Sequence, residues 1–142
     1  MNFYQLNMLY RAARNYGHAR IRNAGVTDTE HQICTFLHFH EEISQDDVAG
    51  GLQLDKTTVA RALASLESKG MIQRVPNPQN RRKNILSLTD AGRSGIADVI
   101  HVYDEWMERV CGCLSAQEQE AFDQMVQRMR VCAENILQEE QL

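Results

Sequence analysis

The sequence has 142 residues, of which 43% are hydrophobic and only 2 are proline. A chain of this length and composition is expected to fold as one domain with its own core, which excludes a disordered tail and a small protein held by disulfides or metal. It has no unbroken apolar run of the kind that a signal peptide or a membrane span requires. We therefore expect a cytoplasmic protein without a membrane partner, whose four cysteines are reduced thiols.

The net charge of −4 hides a strongly basic segment. Between residues 56 and 83 there are seven basic residues and one acid, Glu67, so this segment carries +6 and the remainder sums to −10. A basic stripe on an acidic body attracts a polyanion such as nucleic acid, because binding depends on the local potential. The alternative is that the charge run is only a solvated face. The basic residues are Lys56, Arg61, Lys69, Arg74, Arg81, Arg82 and Lys83.

The sequence pattern in the first part of the chain predicts two helices. Apolar residues at three- and four-residue steps give a first helix that ends near Gly25. A capping box formed by Thr27 and Glu30 opens a second helix, which ends near Glu41.

Two short helices joined by a tight turn follow. Ser44 with Asp47 opens the third helix, which the pair Gly50-Gly51 is expected to weaken at its end. Asp55 caps the fourth helix, which ends near Lys69. The fourth helix buries an apolar face and leaves a polar face for a partner. That polar face includes Lys56, Thr57, Thr58, Arg61 and Ser65.

The sequence pattern in the rest of the chain predicts a hairpin and two helices. Two strand-like runs, 71–75 and 83–88, flank a linker that holds both prolines, which is typical of a β-hairpin, here with a basic tip. Thr89 then caps one long helix that ends at Cys111-Gly112-Cys113. A capping box at Ser115 opens the last helix.

This order of elements predicts a fold that is mainly α with a small β-hairpin wing, a winged helix-turn-helix. The major groove of duplex DNA admits an α-helix, so side chains near the start of the fourth helix are expected to meet base edges, with Lys56 at a phosphate. The hairpin then reaches the neighbouring minor groove, where arginine is favoured. The expected base-edge residues are Thr57, Thr58 and Arg61.

The apolar stripes of the first helix and the last two helices hold more large side chains than a winged helix of about sixty residues can cover. An exposed patch of that size is usually an interface, so a dimer is expected. A two-fold dimer with two reading helices places DNA half-sites about 34 Å apart. The alternative is that these helices pack only within one chain.

The sequence resembles the MarR family of bacterial regulators over nearly the whole chain. The helix-turn-helix segments that carry the resemblance are Leu54-Asp55-Lys56-Thr57-Thr58-Val59-Ala60-Arg61 and Leu66-Glu67-Ser68-Lys69-Gly70-Met71-Ile72. They are followed by Asn80-Arg81-Arg82 and by Leu86-Ser87-Leu88-Thr89-Asp90-Ala91-Gly92, and the passage from the wing into Leu88-Thr89-Asp90-Ala91-Gly92 is the most specific part.

The resemblance implies one MarR-like domain over residues 1–142, with the winged helix-turn-helix at about 27–92 and dimerisation helices at 1–25 and 93–142. It implies a homodimer that binds a pseudo-palindromic operator in double-stranded DNA, acting as a repressor that a small-molecule effector releases. Carried over by motif, Arg82 matches the wing arginine. The recognition helix is matched by Lys56, Thr57, Thr58 and Arg61.

The chain departs from the family at Asn80. The family usually has an Asp there, which pairs with and orients the wing arginines. Arg81 and Arg82 lack that partner, and Asn80 is expected to hold a turn by local hydrogen bonding instead.

Three other hypotheses stay open on sequence alone. Cys34 is either a thiol sensor or a small buried apolar side chain. His31, His38, His40 and Glu41 share the second helix with Cys34 and either bind zinc or are scattered surface residues. The basic stripe either reads DNA or docks an acidic protein partner.

Aromatic residues of the dimer helices suggest a further site. Tyr10, Tyr103 and Trp106 either line a pocket for a small aromatic or amphipathic effector or belong to the core. The sequence has no Gly-rich phosphate loop, motif-bearing nucleophile or paired-carboxylate signature, so neither enzymatic activity nor a cofactor is expected.

Overall fold

The computed structural model describes residues 2–140, and the outermost residues of the predicted dimerisation segments, Met1 and 141–142, lie outside that range. Within it the chain forms α1 (Phe3–Asn23), α2 (Asp28–Phe39), α3 (Gln45–Leu52), α4 (Lys56–Ser68), β1 (Ile72–Asn77), β2 (Asn80–Leu88), α5 (Asp90–Ile96), α6 (Val102–Cys111) and α7 (Ala116–Glu140). This confirms the predicted fold class, mainly α with one β-hairpin.

The described chain divides into two compact units, one that ends at Tyr103 and one that begins at Asp104. The first unit contains α1 to α5 together with the wing, and the second contains most of α6 and all of α7. None of the helices in residues 2–140 combines the length and the hydropathy that crossing a bilayer needs.

Local caps fix where the helices begin. The Thr27 hydroxyl accepts from the Glu30 N–H (3.2 Å) and the Glu30 carboxylate accepts from the Thr27 N–H (2.8 Å), so α2 starts with the predicted capping box. Ser44 and Asp47 make the same reciprocal pair at α3. Such caps satisfy N–H groups that have no partner inside a helix, and they depend only on residues three positions apart.

The core of the first unit forms where α2, α3 and α4 pack on the base of the wing. The predicted apolar face of α4 is confirmed, because its inward side chains are fully covered. The Ile43 carbonyl accepts from the Leu86 N–H at 2.7 Å and ties the loop before α3 to β2. The most deeply buried side chains include Ile21, Ile33, Val48, Val59, Leu63, Leu66 and Ile96.

Helix α3 runs through both glycines that were expected to weaken its end, and it stops at Leu52. Gln53 then takes a left-handed conformation, with φ of 53°, and closes the turn before α4. Gly51 has a packing role, since a Cβ there would lie 2.6 Å from two ring atoms of Phe36, whereas Gly50 has nothing within 4 Å.

The wing is a two-stranded antiparallel hairpin whose strands are longer than predicted. Pro76 lies inside β1 and pairs with Asn84, so the expectation that both prolines fall in the linker is wrong for Pro76. Proline is tolerated there because β1 is an edge strand and the register shifts immediately after it. Asn77 pairs with Asn80, so residues 81–83 of β2 bulge out without partners in β1.

The predicted single long helix after the wing is two helices, because the chain leaves α-helical geometry at residues 97–101. Several backbone hydrogen bonds there span three residues, as from the Val99 N–H to Ile96 O (2.9 Å) and from the Val102 N–H to Val99 O (3.2 Å). The Val99 carbonyl also accepts from Nε2 of His31 at 2.7 Å, a contact across 68 residues. The prediction of one uninterrupted helix is therefore wrong. Helical periodicity could not show the interruption, because the contact comes from a residue far away in the sequence.

Helices α1 and α7 expose most of their large apolar side chains. No residue of α7 between Ala116 and Glu140 is buried. The large exposed side chains of α1 are Phe3, Tyr4, Leu6, Met8, Leu9 and Tyr10, and those of α7 are Met125, Val126, Met129, Val131, Ile136 and Leu137.

Candidate nucleic-acid interface

Helix α4 presents three of its four predicted DNA-binding side chains to solvent. Lys56, Thr57 and Arg61 are exposed, on the side opposite the buried face that anchors the helix. Thr58 is half-buried, and its hydroxyl donates to Oδ2 of Asp55 at 2.6 Å. Thr58 therefore has only its hydroxyl oxygen left as an acceptor, which makes Thr57 and Arg61 the better placed readers of base edges.

The start of α4 already holds a negative charge. Oδ1 of Asp55 accepts from the Thr58 N–H at 2.8 Å, and the hydrogen bonds from the Thr58 hydroxyl and N–H lower the pKa of Asp55 below its ordinary value. Binding of a DNA phosphate near this helix start therefore depends on the positive charge of Lys56. Nζ of Lys56 lies 3.5 Å from Oδ1 of Asp46.

Besides the exposed pair of Lys56 with Asp46, two of the seven basic residues in the stripe are engaged within the fold. Lys69 donates to Oε2 of Glu30 (2.7 Å) and to the Gly25 carbonyl (3.0 Å), and so joins the end of α4 to the start of α2. Arg74 donates to Glu67 (2.9 Å) and to Gln45 (3.0 Å). The charge free to meet DNA is therefore concentrated at the start of α4 and at the wing tip.

The wing tip carries three consecutive basic residues on the β2 bulge, Arg81, Arg82 and Lys83, and all three are exposed. The Asn80 side chain accepts from the Arg82 N–H at 3.2 Å, which confirms the expected local turn. Within residues 2–140, neither arginine side chain of the tip forms a hydrogen bond or an ion pair. The hairpin thus offers two guanidinium groups whose donors are all available.

Sequence reasoning missed a second asparagine at the tip. Oδ1 of Asn77 accepts from the Gln79 N–H at 2.9 Å, so the turn is held by side chain to backbone bonds on both of its sides. The signal was present in the sequence, because Asn77 precedes Pro78 and an Asn before a proline favours a turn of this kind.

A cleft of about 220 Å³ separates the start of α3 from the wing. Arg82 and Lys83 line its outer part, and Ser44 and Asp46 line the part beside α3. Asp46 is the acidic residue of the lining, so the negative charge of the cleft lies on the α3 side. An anion is therefore attracted to the wing side of the cleft and repelled from the α3 side.

The structure does not support the thiol and zinc hypotheses. Cys34 is fully buried, and burial raises the pKa of its thiol to about 12, so the reactive thiolate is absent at neutral pH. His31 is buried, whereas His38 and His40 are exposed. In the described part of the chain, no three His, Cys, Asp or Glu side chains come together as a metal site.

Comparisons of sequence with known proteins agree with this geometry. Residues 26–83, from just before α2 to the wing tip, match the model of the MarR family. The chain is 32% identical over 112 residues to YdgJ of Bacillus subtilis, an uncharacterized HTH-type transcriptional regulator, and the match covers 79% of this chain and 68% of YdgJ. It is 36% identical over 74 residues to the transcriptional regulator HosA of Escherichia coli, covering 52% of this chain and 55% of HosA.

Solved structures share the fold over almost the whole length. The crystal structure of MarR has 28% identity and a TM-score of 0.79, with 95% of this chain and 92% of that chain covered. The Staphylococcus aureus MepR–DNA complex has 22% identity and a TM-score of 0.81, with 93% and 98% covered. The sequence motifs, the fold and the relatives point to the same family, and the chain belongs to the MarR family of transcriptional regulators.

Proposed function

We propose that this protein is a cytoplasmic homodimeric repressor without enzymatic activity, which binds a pseudo-palindromic site in double-stranded DNA through α4 and the wing. The major groove takes α4, with Arg61 and Thr57 at base edges and Lys56 at a phosphate. The adjacent minor groove takes the wing, with Arg82 inserted and Arg81 beside it. Thr58 contributes through its hydroxyl oxygen only.

The observation that carries this proposal is how the positive charge is used. Lys69 and Arg74 form ion pairs inside the fold. The exposed basic side chains without a partner within residues 2–140 include Arg61, Arg81 and Arg82. A folded chain with a net charge of −4 that keeps these guanidinium groups free on two adjacent elements is suited to a polyanion.

The test is fluorescence anisotropy of the purified protein with duplex DNA from upstream of its own gene and with a scrambled duplex, across a salt series. We expect preference for the upstream duplex and a steep loss of affinity with salt. Arg61→Ala is expected to cost about 1–3 kcal/mol and to relax preference at one base pair of each half-site. Arg82→Ala is expected to weaken binding and also to reduce the slope of affinity against salt concentration.

Arg22→Ala serves as the matched control, because Arg22 is an exposed arginine at the end of α1, outside both DNA-binding elements. Its affinity should equal that of the unaltered protein. Absence of binding to either duplex at low salt contradicts the proposal, as does an equal loss of affinity in all three variants.

The exposed apolar faces of α1 and α7 support the homodimer. Each helix leaves large side chains uncovered, including Phe3 at 76% and Ile136 at 54% exposure, which a second copy of the chain would cover. Sedimentation of the protein at micromolar concentration should give a dimer. A monomer that still binds DNA would contradict this part of the proposal.

A groove along α1 supports an anionic aromatic effector. It has a volume of about 510 Å³, and its lining includes Tyr10 with Arg11, so it offers one aromatic ring and one cation, while Arg14 of the same lining is paired with Asp28 at 3.4 Å. Aromatic carboxylates should weaken DNA binding, and Arg11→Gln should reduce that response without changing affinity in their absence. Affinity that no aromatic carboxylate changes would contradict the effector.

A further inference from the structure

His31 is a buried titratable residue that the proposed DNA contacts do not use. It lies on α2 with only 2% of its surface exposed, and it bonds the Val99 carbonyl at the interruption between α5 and α6. A carbonyl can only accept, so the proton of the neutral ring is on Nε2. The second nitrogen, Nδ1, is therefore an acceptor.

That acceptor has no donor. Within residues 2–140, Nδ1 of His31 is buried without a hydrogen-bond partner, and so are Oδ1 of Asp28 and Oγ1 of Thr35. These three residues follow one another at spacings of three and four along α2, so they share one face of the helix. Two unsatisfied acceptors, the imidazole nitrogen and the carboxylate oxygen, thus lie one turn apart in a buried place, where an unpaired acceptor is costly.

The groups around His31 come from three elements. On α2, the Asp28 carboxylate uses its other oxygen, Oδ2, to accept from His18 (2.9 Å) and Arg14 (3.4 Å) of α1. At the start of α6, the Tyr103 ring meets the imidazole edge-on, with centroids 5.9 Å apart. Burial lowers the pKa of His31, and the Val99 carbonyl and the Asp28 charge oppose that shift.

We propose that His31 is a proton-responsive joint, in which protonation of Nδ1 redirects the Asp28 carboxylate toward the imidazolium and loosens α2 from α1. The hydrogen bond from Nε2 to the Val99 carbonyl is kept and becomes charge-assisted. A proton on Nδ1 turns one unsatisfied acceptor into a donor, and Oδ1 of Asp28 is the unsatisfied acceptor on the adjacent turn. Oδ2 of the same carboxylate accepts from His18 and Arg14, so a carboxylate that turns toward the imidazolium lengthens those two bonds to α1.

The functional consequence rests on the proposed function, since it concerns binding to DNA. His31 and Asp28 both lie on α2, which also packs on α3 and α4, and the Asp28 partners that protonation weakens lie on α1. Acidification therefore acts on the contacts that set the direction of the reading helix. The neutral form of His31 is the form that binds DNA, and affinity falls as His31 takes up its proton.

The experiment measures DNA affinity from about pH 7.5 to about pH 5.5, a range in which histidine changes charge. We expect at least about fivefold weaker binding at the acidic end, since one proton per protomer allows up to about tenfold per pH unit from each subunit. His31→Gln keeps a donor for the Val99 carbonyl but does not titrate, so its affinity should change less than about twofold over the same range.

His38→Gln is the matched control, because His38 is an exposed histidine on the same helix. It should keep the pH dependence of the unaltered protein. The proposal is overturned if His31→Gln and His38→Gln respond to pH equally.

A second arm needs neither a variant nor DNA. Side-chain nitrogen NMR of the unaltered protein should show Nε2 protonated and Nδ1 bare at pH near 7.5, with Nδ1 taking up a proton on acidification. Amide exchange in α1 around Arg14 and His18, corrected for intrinsic pH effects, should rise at the same midpoint, while the 97–101 turn stays protected. The proposal is overturned if the His31 ring stays neutral over this range, or if amide exchange in α1 does not change when the ring takes up its proton. Failure to bind DNA at any pH contradicts the proposed function and leaves this arm to decide the joint.

Discussion

The two neighbouring glycines of α3 should respond in opposite directions to the same substitution. Both Gly50 and Gly51 are exposed helical residues in the last turn. Alanine at a helical position is favoured over glycine by about 0.5–1 kcal/mol, because it loses less backbone entropy on folding. Gly50→Ala meets nothing within 4 Å and should gain that amount.

Gly51→Ala makes the same gain but meets the Phe36 ring. Its Cβ would lie 2.6 Å from Cε2 and Cζ, where ordinary carbon contacts are about 3.5–4.0 Å, so the ring must retreat by about 1 Å. Phe36 is half-buried and stacks on His40 with ring centroids 4.2 Å apart, which limits that movement. Overpacking of this kind costs about 1–3 kcal/mol, so the net effect is a loss of about 1 kcal/mol.

Urea denaturation followed by circular dichroism, at one fixed protomer concentration, measures both variants. The free energies of unfolding should differ by about 1–3 kcal/mol, with Gly50→Ala above the unaltered protein and Gly51→Ala below it. Adding Phe36→Leu should remove the penalty of Gly51→Ala in a double-mutant cycle. If both glycine variants are stabilised to the same extent, the packing of Phe36 on α3 is not as described.

Three further predictions concern caps, a buried ion pair and the cysteines. Thr27→Ala removes the acceptor of the α2 capping box and should cost about 1 kcal/mol in urea denaturation, while Thr27→Ser should cost little. Lys69→Met leaves the Glu30 carboxylate, with 4% of its side chain exposed, without its cation. The loss should be about 2 kcal/mol, below the usual cost for a buried pair because Lys69 itself is 35% exposed. Burial opposes ionisation of Glu30, but Lys69 and the hydrogen bonds from Ser65 and Thr27 outweigh it and lower its pKa. In the unaltered protein this contribution should be present above about pH 4.5 and lost as the pH falls through the lowered pKa, a decline that Lys69→Met should remove. Native protein at neutral pH should resist alkylation at buried Cys34 while exposed Cys113 reacts, as mass spectrometry of peptides would show; equal labelling would contradict the burial of Cys34.

Features that depend on near neighbours in sequence were predictable. The capping boxes at Thr27 and Ser44, the cap at Asp55 and the local turn at Asn80 all appear in the structure where the sequence placed them. Each is a hydrogen bond between residues two or three positions apart, so the residue types alone carry the information.

Features that depend on distant partners were not predictable. The interruption at 97–101 coincides with a hydrogen bond from His31, and no helical pattern within either segment reports it. The same limit applies to the basic stripe, since only the structure shows that Lys69 and Arg74 are engaged by Glu30, Glu67 and Gln45 and thus lost to the interface.

The wing tip draws its order from its own residues. Asn77 and Asn80 bond the backbone of the turn they enclose, and Pro76 and Pro78 restrict the chain beside them. The rest of the molecule therefore places few demands on the tip, and its basic residues can be exchanged with little effect on the core. In evolutionary terms, a lineage of such regulators can change which operators it prefers at the minor groove while its folding stability stays nearly constant. Selection for a new operator and selection for a stable protein then act on separate residues.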